Sequence, residues 1–235
     1  MCTLGIILAG GTSRRMKLPA GVNKASVPIA GYSLIHHVVQ AIRPAVDRLV
    51  VVVSPEHPSP EISGIDEIVH DTTPHAGPLS AIADALQITG KDMKTCFVSS
   101  CDVPFLKTDI IHLLLNKLND PKILWAVPWV SDHPQVLASA LRVTILDEVK
   151  RYLATGRHDP RGLIDHLSAT SSQSKHSVHL VKAAELVSVD PQLMSFNDID
   201  TPNDLAQMTS RLLYSGVWRS NILTRNEGTN SGEDG

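Results

Sequence analysis

The stretch LGIILAGG, residues 4–11, determines the predicted fold. Its first six residues form a mostly apolar run, which Gly10 and Gly11 end. A short apolar run stopped by glycines is typical of a strand buried on both faces of a sheet. Apolar residues with helical spacing follow at 34–42, and a β-branched run follows at 49–53. This order of strand, loop, helix and strand predicts an α/β fold with a mostly parallel sheet.

Strand and helix patterns continue to alternate through the remaining sequence. Further strands are predicted at residues 68–69, 95–99, 123–127, 135–140, 179–181 and 193–196, and further helices at 78–86, 108–118, 142–153, 160–167 and 202–213. We therefore expect residues 1–213 to form one Rossmann-like domain with three layers. Residues 214–235 are a C-terminal extension, and from about residue 224 their content of Gly, Asn, Ser and acidic residues predicts disorder.

The composition argues against several classes of partner. Of 235 residues, 43% are hydrophobic and 19% are charged, as in an ordinary globular protein. A net charge of −3 gives no general attraction to nucleic acid or to anionic membranes, and no apolar run approaches the roughly 20 residues of a membrane-spanning helix. The three cysteines suggest neither a disulfide framework nor a zinc pair. We expect a cytoplasmic protein with local phosphate binding; the oligomeric state leaves no signature.

The loop after the first strand carries residue types that bind phosphate. In an open parallel sheet, ligands bind beyond the carboxyl ends of the strands, where this loop begins. Gly10 and Gly11 lack a Cβ, so their backbone N–H groups can approach an anion closely. Hydroxyls and positive charges that could bind a triphosphate follow at Thr12, Ser13, Arg14, Arg15 and Lys24.

A simpler interpretation of this loop is an ordinary turn followed by two solvated arginines. The complete string ending in Lys24 favours phosphate binding instead. The sequence has neither the G-x-x-x-x-G-K-[ST] pattern of a P-loop nor a G-x-G-x-x-G that opens a helix after the first strand. We therefore predict a phosphate loop of another type between Leu8 and Lys24.

Aspartates in two other segments could hold Mg²⁺. Asp102 ends a predicted strand within SSCDVP, and Asp198 and Asp200 lie within FNDIDTP. Mg²⁺ prefers oxygen ligands and commonly uses one or two carboxylates together with substrate phosphates. In a strand-like segment Asp198 and Asp200 would share one face, so either could be the second ligand. Alternatively, Asp102 could form a turn, and Asp200 or Thr201 could cap the following helix.

A third segment, DTTPHAGPL at residues 71–79, joins a predicted strand to a predicted helix. It contains the turn-forming residues that a binding loop uses. Asp71 at its start could hydrogen-bond a ribose or a base, and it could equally cap the loop. The segment is therefore a third candidate part of a ligand site.

Taken together, these segments resemble the MobA-like nucleotidyltransferase family. The string L-A-G-G-x-S-R-R-M with the later Lys24, the G-P-L segment, the C-D-x-P segment and the D-x-D-T-P segment occur in the family's order over residues 4–205. The region from His133 to Leu167 is similar to the family's acceptor side. The resemblance implies a fold of the nucleotide-diphospho-sugar transferase type. It also implies transfer of GMP from GTP to molybdopterin with Mg²⁺ and release of pyrophosphate.

The loop chemistry and the resemblance lead to one set of expected site residues. The expected catalytic residues are Lys24, Arg14, Arg15 and Asp102. The expected metal ligands are Asp102 and Asp200. The residues expected to bind the nucleotide are Leu8, Ala9, Gly10, Gly11, Thr12, Ser13, Lys24, Asp71, Gly77, Pro78, Leu79 and Asp102.

The sequence departs from the family pattern at three places. Lys17 follows Met16 where the family usually has Gly, and Ser54 or Pro55 stands where guanylyltransferases often have an Asn near the base. Asp198 and Asp200 replace more frequent Asn residues, as in cytidylyl-type relatives. Transfer of CMP or another nucleotide to molybdopterin or to a small phosphorylated alcohol or sugar therefore stays an alternative. A nucleotide-binding regulatory module without catalysis is the second alternative.

Overall fold

A computed structural model of the chain describes residues 2–11, 13–19, 21–55, 62–72, 76–89, 92–170 and 177–214. Its strands are β1 (Thr3–Leu8), β2 (Pro28–Ile29), β3 (Tyr32–Ser33), β4 (Arg48–Val53), β5 (Glu67–His70), β6 (Thr95–Ser100), β7 (Ile123–Val130), β8 (His133–Pro134), β9 (Ala138–Arg142) and β10 (Ser177–Lys182). Its α-helices are α1 (Leu34–Ile42), α2 (Pro78–Thr89), α3 (Thr108–Lys117), α4 (Leu146–Ala154), α5 (Pro160–Thr170), α6 (Ala183–Leu186) and α7 (Pro202–Tyr214).

A sheet in the order β10-β7-β9-β6-β1-β4-β5 forms the centre of the fold, and β8 pairs with β7. The neighbours β6, β1, β4 and β5 are parallel, and so are β7 and β10. β9 runs antiparallel to both of its neighbours, β6 and β7. β2 and β3 form a separate hairpin. The prediction of a mostly parallel α/β sheet is confirmed.

Hydrophobic layers cover both faces of the sheet because side chains alternate along each strand. Ile7 of β1 is buried in the layer that includes α1 and α3, whereas Ile6 is buried in the layer that includes α2, α4 and α5. The helices complete these layers with apolar stripes, such as Val38, Val39 and Ile42 of α1. Truncating one such Leu or Ile to Ala typically costs roughly 2–5 kcal/mol. Helices on both faces of the sheet confirm the predicted three-layer arrangement.

The predicted helix at residues 142–153 begins later than its pattern suggests. β9 continues to Arg142, and a 3-10 turn at Val143–Ile145 precedes α4. The guanidinium of Arg142 donates hydrogen bonds to the backbone oxygens of Ile123 at 2.9 Å and Asp120 at 3.2 Å. These contacts fasten Arg142 to the start of β7, so strand pairing overrides the local helical pattern.

The predicted strand at residues 193–196 is wrong. Met194–Phe196 forms a 3-10 turn, which Leu193 enters with a left-handed φ of 51°. The backbone N–H of Ser195 donates to Asp190 Oδ2 at 2.8 Å, which fixes this turn from within the buried core. Asp198 and Asp200 lie in irregular backbone rather than in a strand, yet their side chains are in hydrogen-bonding contact with each other.

The helices near the end of the chain follow the prediction with small shifts. α5 continues to Thr170, three residues beyond its predicted end at residue 167, and α7 ends at Tyr214. The rest of the predicted C-terminal extension, residues 215–235, lies outside the described residues. In the described part of the chain, no helix combines the length and apolar character needed to cross a membrane.

Candidate active site

A cavity of about 520 Å³ opens at the carboxyl ends of the parallel strands. The structure brings most of the expected site residues to its walls, namely Leu8, Ala9, Gly10, Gly11, Ser13, Arg14, Arg15, Lys24, Asp71, Gly77, Pro78, Asp102 and Asp200. Thr12 lies outside the described residues. Residues that line the cavity without having been expected are Asn23, Ala81, Ser100, Cys101 and Leu137.

Leu79 does not line this cavity, in contrast to its neighbours Gly77 and Pro78. Its side chain is 1% exposed and packs in the core layer of Ile82 and Leu86. It lies on the inner face of α2, where the apolar stripe meets the sheet. The side chain of Leu79 therefore packs α2 against the sheet and, unlike the other expected residues of this segment, is enclosed in the core.

The glycine turn begins directly after β1. A Cβ added to Gly10 would lie 3.2 Å from the backbone N of Ser54, so the backbone here passes close to the residue after β4. A Cβ on Gly11 would have no heavy atom within 4 Å. The backbone N–H of Ala9 donates to the Val52 oxygen at 2.8 Å, which holds the start of the turn. The turn can therefore offer exposed backbone to a ligand while its first residues stay fixed.

Asn23 connects the second part of the loop to the first strand. Its amide group donates to the Ala9 oxygen at 3.4 Å, and its side-chain oxygen accepts from the N–H of Ala25 at 2.9 Å. The second contact caps the 3-10 turn Lys24–Ser26. Sequence reasoning missed this role, although Asn before a helical turn is a recognisable cap signal.

Lys24 bridges the two carboxylates that were expected to bind metal. Its Nζ lies 2.6 Å from Asp102 Oδ2 and 2.6 Å from Asp200 Oδ1. The Lys24 side chain is only 8% exposed. Burial alone would lower the pKa of Lys24, but the charges of and hydrogen bonds to Asp102 and Asp200 outweigh it and raise that pKa. The ammonium is therefore fully charged at neutral pH.

Backbone contacts hold the two carboxylates together. The N–H of Cys101 donates to the Leu8 oxygen at 3.1 Å, and the N–H of Ile199 donates to the Asp102 oxygen at 2.9 Å. These bonds join the segment after β6 to the end of β1 and to the segment before α7. Asp102 Oδ1 is buried and has no hydrogen-bond partner among the described residues. This oxygen therefore lacks the polar contact that a buried carboxylate oxygen normally makes.

Asp200 is positioned by the cap of α7. The N–H groups of Asp200 and Thr201 donate to Asp204 Oδ2 at 3.2 and 2.8 Å, and the N–H of Asp204 donates to Thr201 Oγ1 at 3.1 Å. Thr201 is thus the cap that the sequence offered as an alternative, so the Asp200 carboxylate is not used for capping and faces the cavity. Burial would raise the pKa of Asp200, but Lys24 and the nearby charge of Arg15 lower it.

The arginines differ in their contacts. Arg15 Nη2 lies 2.6 Å from Asp200 Oδ2, although the Arg15 side chain is 73% exposed. Arg14 is exposed on the wall of the same cavity. Asp198 is exposed and lies beside a neighbouring cavity. Of the two arginines, Arg15 is therefore the one that contacts Asp200, a carboxylate that Lys24 also contacts.

The loop after β5 forms another wall of the cavity. The N–H of Asp71 donates to the Val53 oxygen at 2.9 Å. Asp84 Oδ2 of α2 accepts from the N–H of Thr72 at 3.0 Å and from its hydroxyl at 2.6 Å. Gly77 has a left-handed φ of +92°, which suits glycine at the entry to α2. Asp71 is thus held near the entrance of α2 by contacts from both sides.

The carboxylates have the chemistry of a site for a hard divalent cation. Among the described residues, no three acidic, His or Cys side chains come together as a complete metal site. Asp102 and Asp200 supply two carboxylates, and the unpartnered Oδ1 of Asp102 adds a free oxygen. Mg²⁺ characteristically completes such a partial set with substrate phosphates and water. The residues present therefore fit a cation shared between protein and nucleotide.

A second cavity of about 520 Å³ adjoins the first. Six residues line both cavities, namely Arg15, Pro78, Ser100, Asp102, Leu137 and Asp200. The polar and charged residues that line only this second cavity include His133, Gln135, Arg161 and Asp198. Asp102 and Asp200 thus lie where the two adjoining cavities meet.

Comparison with known proteins agrees with this architecture. The sequence model of the MobA-like NTP transferase domain matches residues 5–173. The chain belongs to this family. The resemblance seen in the sequence is confirmed, and the MobA-like domain is a nucleotidyltransferase.

Three relatives are especially informative. The chain is 31% identical over 164 residues to a protein of Mycobacterium avium named "Probable molybdenum cofactor guanylyltransferase", covering 68% of this chain and 80% of that protein. It is 29% identical over 201 residues to the molybdenum cofactor guanylyltransferase of Desulfosudis oleivorans, covering 86% and 91%. The solved structure of molybdopterin-guanine dinucleotide biosynthesis protein A from Archaeoglobus fulgidus superimposes with a TM-score of 0.68 at 23% identity, covering 88% of this chain and 97% of that one. This likeness confirms the expected fold type.

Proposed function

We propose that the MobA-like domain transfers GMP from GTP to molybdopterin and releases pyrophosphate. The observation that carries this proposal is the meeting of two cavities at Arg15, Asp102 and Asp200. A reaction between a nucleotide and an acceptor needs one compartment for each substrate and a charged centre between them. Relatives named molybdenum cofactor guanylyltransferase support the choice of substrates.

In this proposal the first cavity binds GTP. The glycine turn and Lys24 bind the phosphates, and Asp71 binds the nucleoside. Gly77 and Pro78 form the cavity wall beside the nucleoside. The α-phosphate then lies beside Asp102 and Asp200, next to the second cavity. The acceptor's terminal phosphate enters from that cavity, near Arg161 and His133.

The proposed transfer forms one phosphorus–oxygen bond and breaks another. A terminal phosphate oxygen of molybdopterin attacks the α-phosphorus of GTP, and the bond from the α-phosphorus to the oxygen bridging to the β-phosphate breaks. That oxygen keeps the electron pair and leaves with pyrophosphate. The nucleophile arrives ionised, so no general base is required. The protein aligns the reacting groups and neutralises the growing charge.

The chain's own cations and carboxylates divide this work. Lys24, Arg14 and Arg15 stabilise charge on the phosphates and on the departing pyrophosphate. Asp102 and Asp200 would hold a divalent ion, for which we propose Mg²⁺ because carboxylate and phosphate oxygens are its preferred ligands. When bound, the ion polarises phosphoryl oxygens and withdraws charge from the reacting phosphorus. Members of the family generally use a divalent metal.

Transfer of CMP is the second candidate reaction. Ser54 or Pro55 stands where guanylyltransferases often have an Asn, and the backbone N of Ser54 lies 3.2 Å from a Cβ added to Gly10. Asp198 and Asp200 also match cytidylyl-type relatives. An assay that compares GTP with CTP therefore distinguishes the two candidate reactions.

The test is pyrophosphate release by the purified protein with molybdopterin, Mg²⁺ and each of GTP, CTP, ATP and UTP in turn. We expect turnover with GTP, dependence on both molybdopterin and Mg²⁺, and loss of turnover in Lys24→Ala. Turnover with CTP alone would replace the guanylyl assignment by the cytidylyl one. Nucleotide binding without turnover under any combination would indicate a regulatory module and contradict catalysis.

Two further features belong to this proposal. We propose that residues 1–213 act as one domain, with both cavities built from it. We also propose the cytoplasm as the compartment, since Cys2, Cys96 and Cys101 are all free thiols. Proteolysis that leaves a stable fragment ending near residue 213 with full turnover would support the first point.

A further inference from the structure

The ammonium of Lys24 lies between the two carboxylates expected to hold a divalent ion. Its Nζ is 2.6 Å from Asp102 Oδ2 and 2.6 Å from Asp200 Oδ1. The side chain is 8% exposed, whereas Arg15, the other cation in contact with Asp200, is 73% exposed. Lys24 is therefore enclosed by the carboxylate pair, and Arg15 approaches it from outside.

We propose that Lys24 is an internal cation that holds the metal position in the nucleotide-free protein and exchanges with a divalent ion when triphosphate binds. Metal and triphosphate then bind as a coupled pair, and the coupling passes through one side chain. This inference rests on the proposed function in taking the first cavity as a triphosphate site. It goes beyond that function because it assigns an order and a dependence to the binding steps.

The geometry prevents Lys24 and a divalent ion from using the same oxygens together. An ion bound to Asp102 and Asp200 lies about 2.1 Å from each coordinating oxygen. The Lys24 ammonium already contacts one oxygen of each carboxylate from the shared side. A divalent ion and an ammonium that both contact the same carboxylate oxygens lie close together, and two such cations repel strongly in a partly buried site. An ion that binds Asp102 Oδ2 and Asp200 Oδ1 can therefore enter only when Lys24 leaves.

Asp102 gives a reason for the exchange to occur. Its Oδ1 is buried and has no hydrogen-bond partner among the described residues, while Oδ2 contacts Lys24. A buried carboxylate oxygen without a partner is unfavourable. A single ammonium between the two aspartates leaves this oxygen unsatisfied, whereas a divalent ion with its bound water can satisfy it.

Lys24 needs another anion when it leaves the carboxylates. Its ammonium stands on a flexible four-carbon stem and lines the cavity together with Gly10 and Gly11. A triphosphate on the glycine turn supplies that anion. Metal alone would have to move a buried ammonium away from its partners with no replacement. Binding of metal alone should therefore be weak, and by linkage each ligand strengthens binding of the other.

The test measures Mn²⁺ binding by electron paramagnetic resonance without nucleotide or acceptor. We expect Lys24→Met to bind Mn²⁺ more tightly than the wild type, by about tenfold or more, within the usual range of coupling between ligands. Arg15→Met removes an equal charge from the same Asp200 and should change the affinity much less. Lys117→Met removes a lysine that pairs with Glu185 on α6 and should change nothing.

Equal effects of Lys24→Met and Arg15→Met would overturn the proposal, since they would indicate only a general loss of positive charge. Unchanged or weaker binding in Lys24→Met would overturn it as well. Thermal unfolding checks each fold. Should Lys24→Met not fold, Lys24→Gln provides the uncharged variant, and Lys24→Arg should retain the weak binding of the wild type. Weak binding in Lys24→Gln would again contradict the exchange.

This experiment separates the exchange from the proposed function. No substrate is transferred during the titration, so absence of guanylyl transfer would leave the Mn²⁺ result intact. Full transfer activity combined with equal Mn²⁺ affinity in the wild type and Lys24→Met would reject the exchange and leave the proposed reaction standing.

Discussion

The two halves of the central sheet produce two cavities in different ways. On one side β6, β1, β4 and β5 are all parallel, so their following loops gather at one edge and form the first cavity. On the other side β9 is antiparallel, so its beginning reaches that same edge, where the N–H of Ser100 donates to the Leu137 oxygen at 3.2 Å. One reversed strand thus adds a second compartment beside the first. We therefore expect variants in one half to affect one substrate and variants at the junction of the two cavities to affect both.

The largest expected effect is at the junction, in Asp102→Asn. Loss of this carboxylate should lower the turnover number by about a thousandfold, because charge stabilisation at the reacting phosphate is lost. The fold should persist, as shown by an unfolding temperature close to that of the wild type. The measurement is steady-state pyrophosphate release. Asp109→Asn, on the exposed first turn of α3, is the matched control and should keep full activity.

Paired variants in the two halves should separate the substrates. Asp71→Ala should raise KM for the nucleotide by about tenfold and leave KM for the acceptor unchanged, because Asp71 lines only the first cavity. Arg161→Ala should do the reverse, because Arg161 lines only the second. Steady-state kinetics with each substrate varied in turn provide the measurement. A shift of both KM values in either variant would break the assignment of one cavity to each substrate.

A smaller effect is expected from the cap that positions Asp200. Asp204→Ala removes the acceptor for the N–H groups of Asp200 and Thr201. We expect a severalfold decrease in turnover and an unfolding temperature lower by a few degrees. Asp204→Asn keeps an oxygen acceptor and should therefore keep most of the wild-type turnover and most of the wild-type unfolding temperature. Full activity in Asp204→Ala would mean that Asp200 keeps its position without this cap.

The smallest effect concerns stability below neutral pH. His37 of α1 is 8% exposed, and its Nε2 lies 3.0 Å from the Ile29 oxygen. Burial lowers the pKa of His37, and the contact with Ile29 opposes this only in part. The unfolded chain therefore binds a proton at His37 more readily than the folded protein does. The contribution of neutral His37 to the free energy of unfolding is fully present above about pH 6.5 and is lost as the pH falls below that value. The decrease in unfolding temperature from about pH 7.5 to about pH 5.5 should be smaller in His37→Gln. An equal decrease in unfolding temperature in the wild type and in His37→Gln would show that His37 is not the cause of this pH dependence.

The half of the sheet that forms the first cavity could be predicted closely from the sequence, and the half with the antiparallel β9 less so. The apolar run of β1 and the glycines after it carry strong local signals, and parallel topology places the following loops at one edge. The direction of β9 has no such signal, because an apolar run is the same in either orientation. The start of α4 and the turn after Leu193 depend on contacts from Arg142 and Asp190, which local patterns do not contain.

In the candidate site, too, short segments of sequence predict some features, whereas contacts between residues far apart in the sequence determine others. Residue types and spacing predicted the glycine loop and the two aspartate segments as parts of the site, and the fold brings them to one cavity. The ion pairs of Lys24 join residues 78 and 176 positions apart, so only the folded chain reveals them. The separation of Leu79 from the cavity also depends on which face of α2 packs against the sheet.

The most direct measurement is a crystal structure of the protein with a non-hydrolysable GTP analogue and Mn²⁺, in which anomalous scattering locates the metal. We predict the triphosphate along Gly10 and Gly11, the metal in contact with Asp102 and Asp200, and the Lys24 ammonium on the phosphates. A nucleotide bound far from Gly10, Lys24 and Asp102 would contradict the central claim.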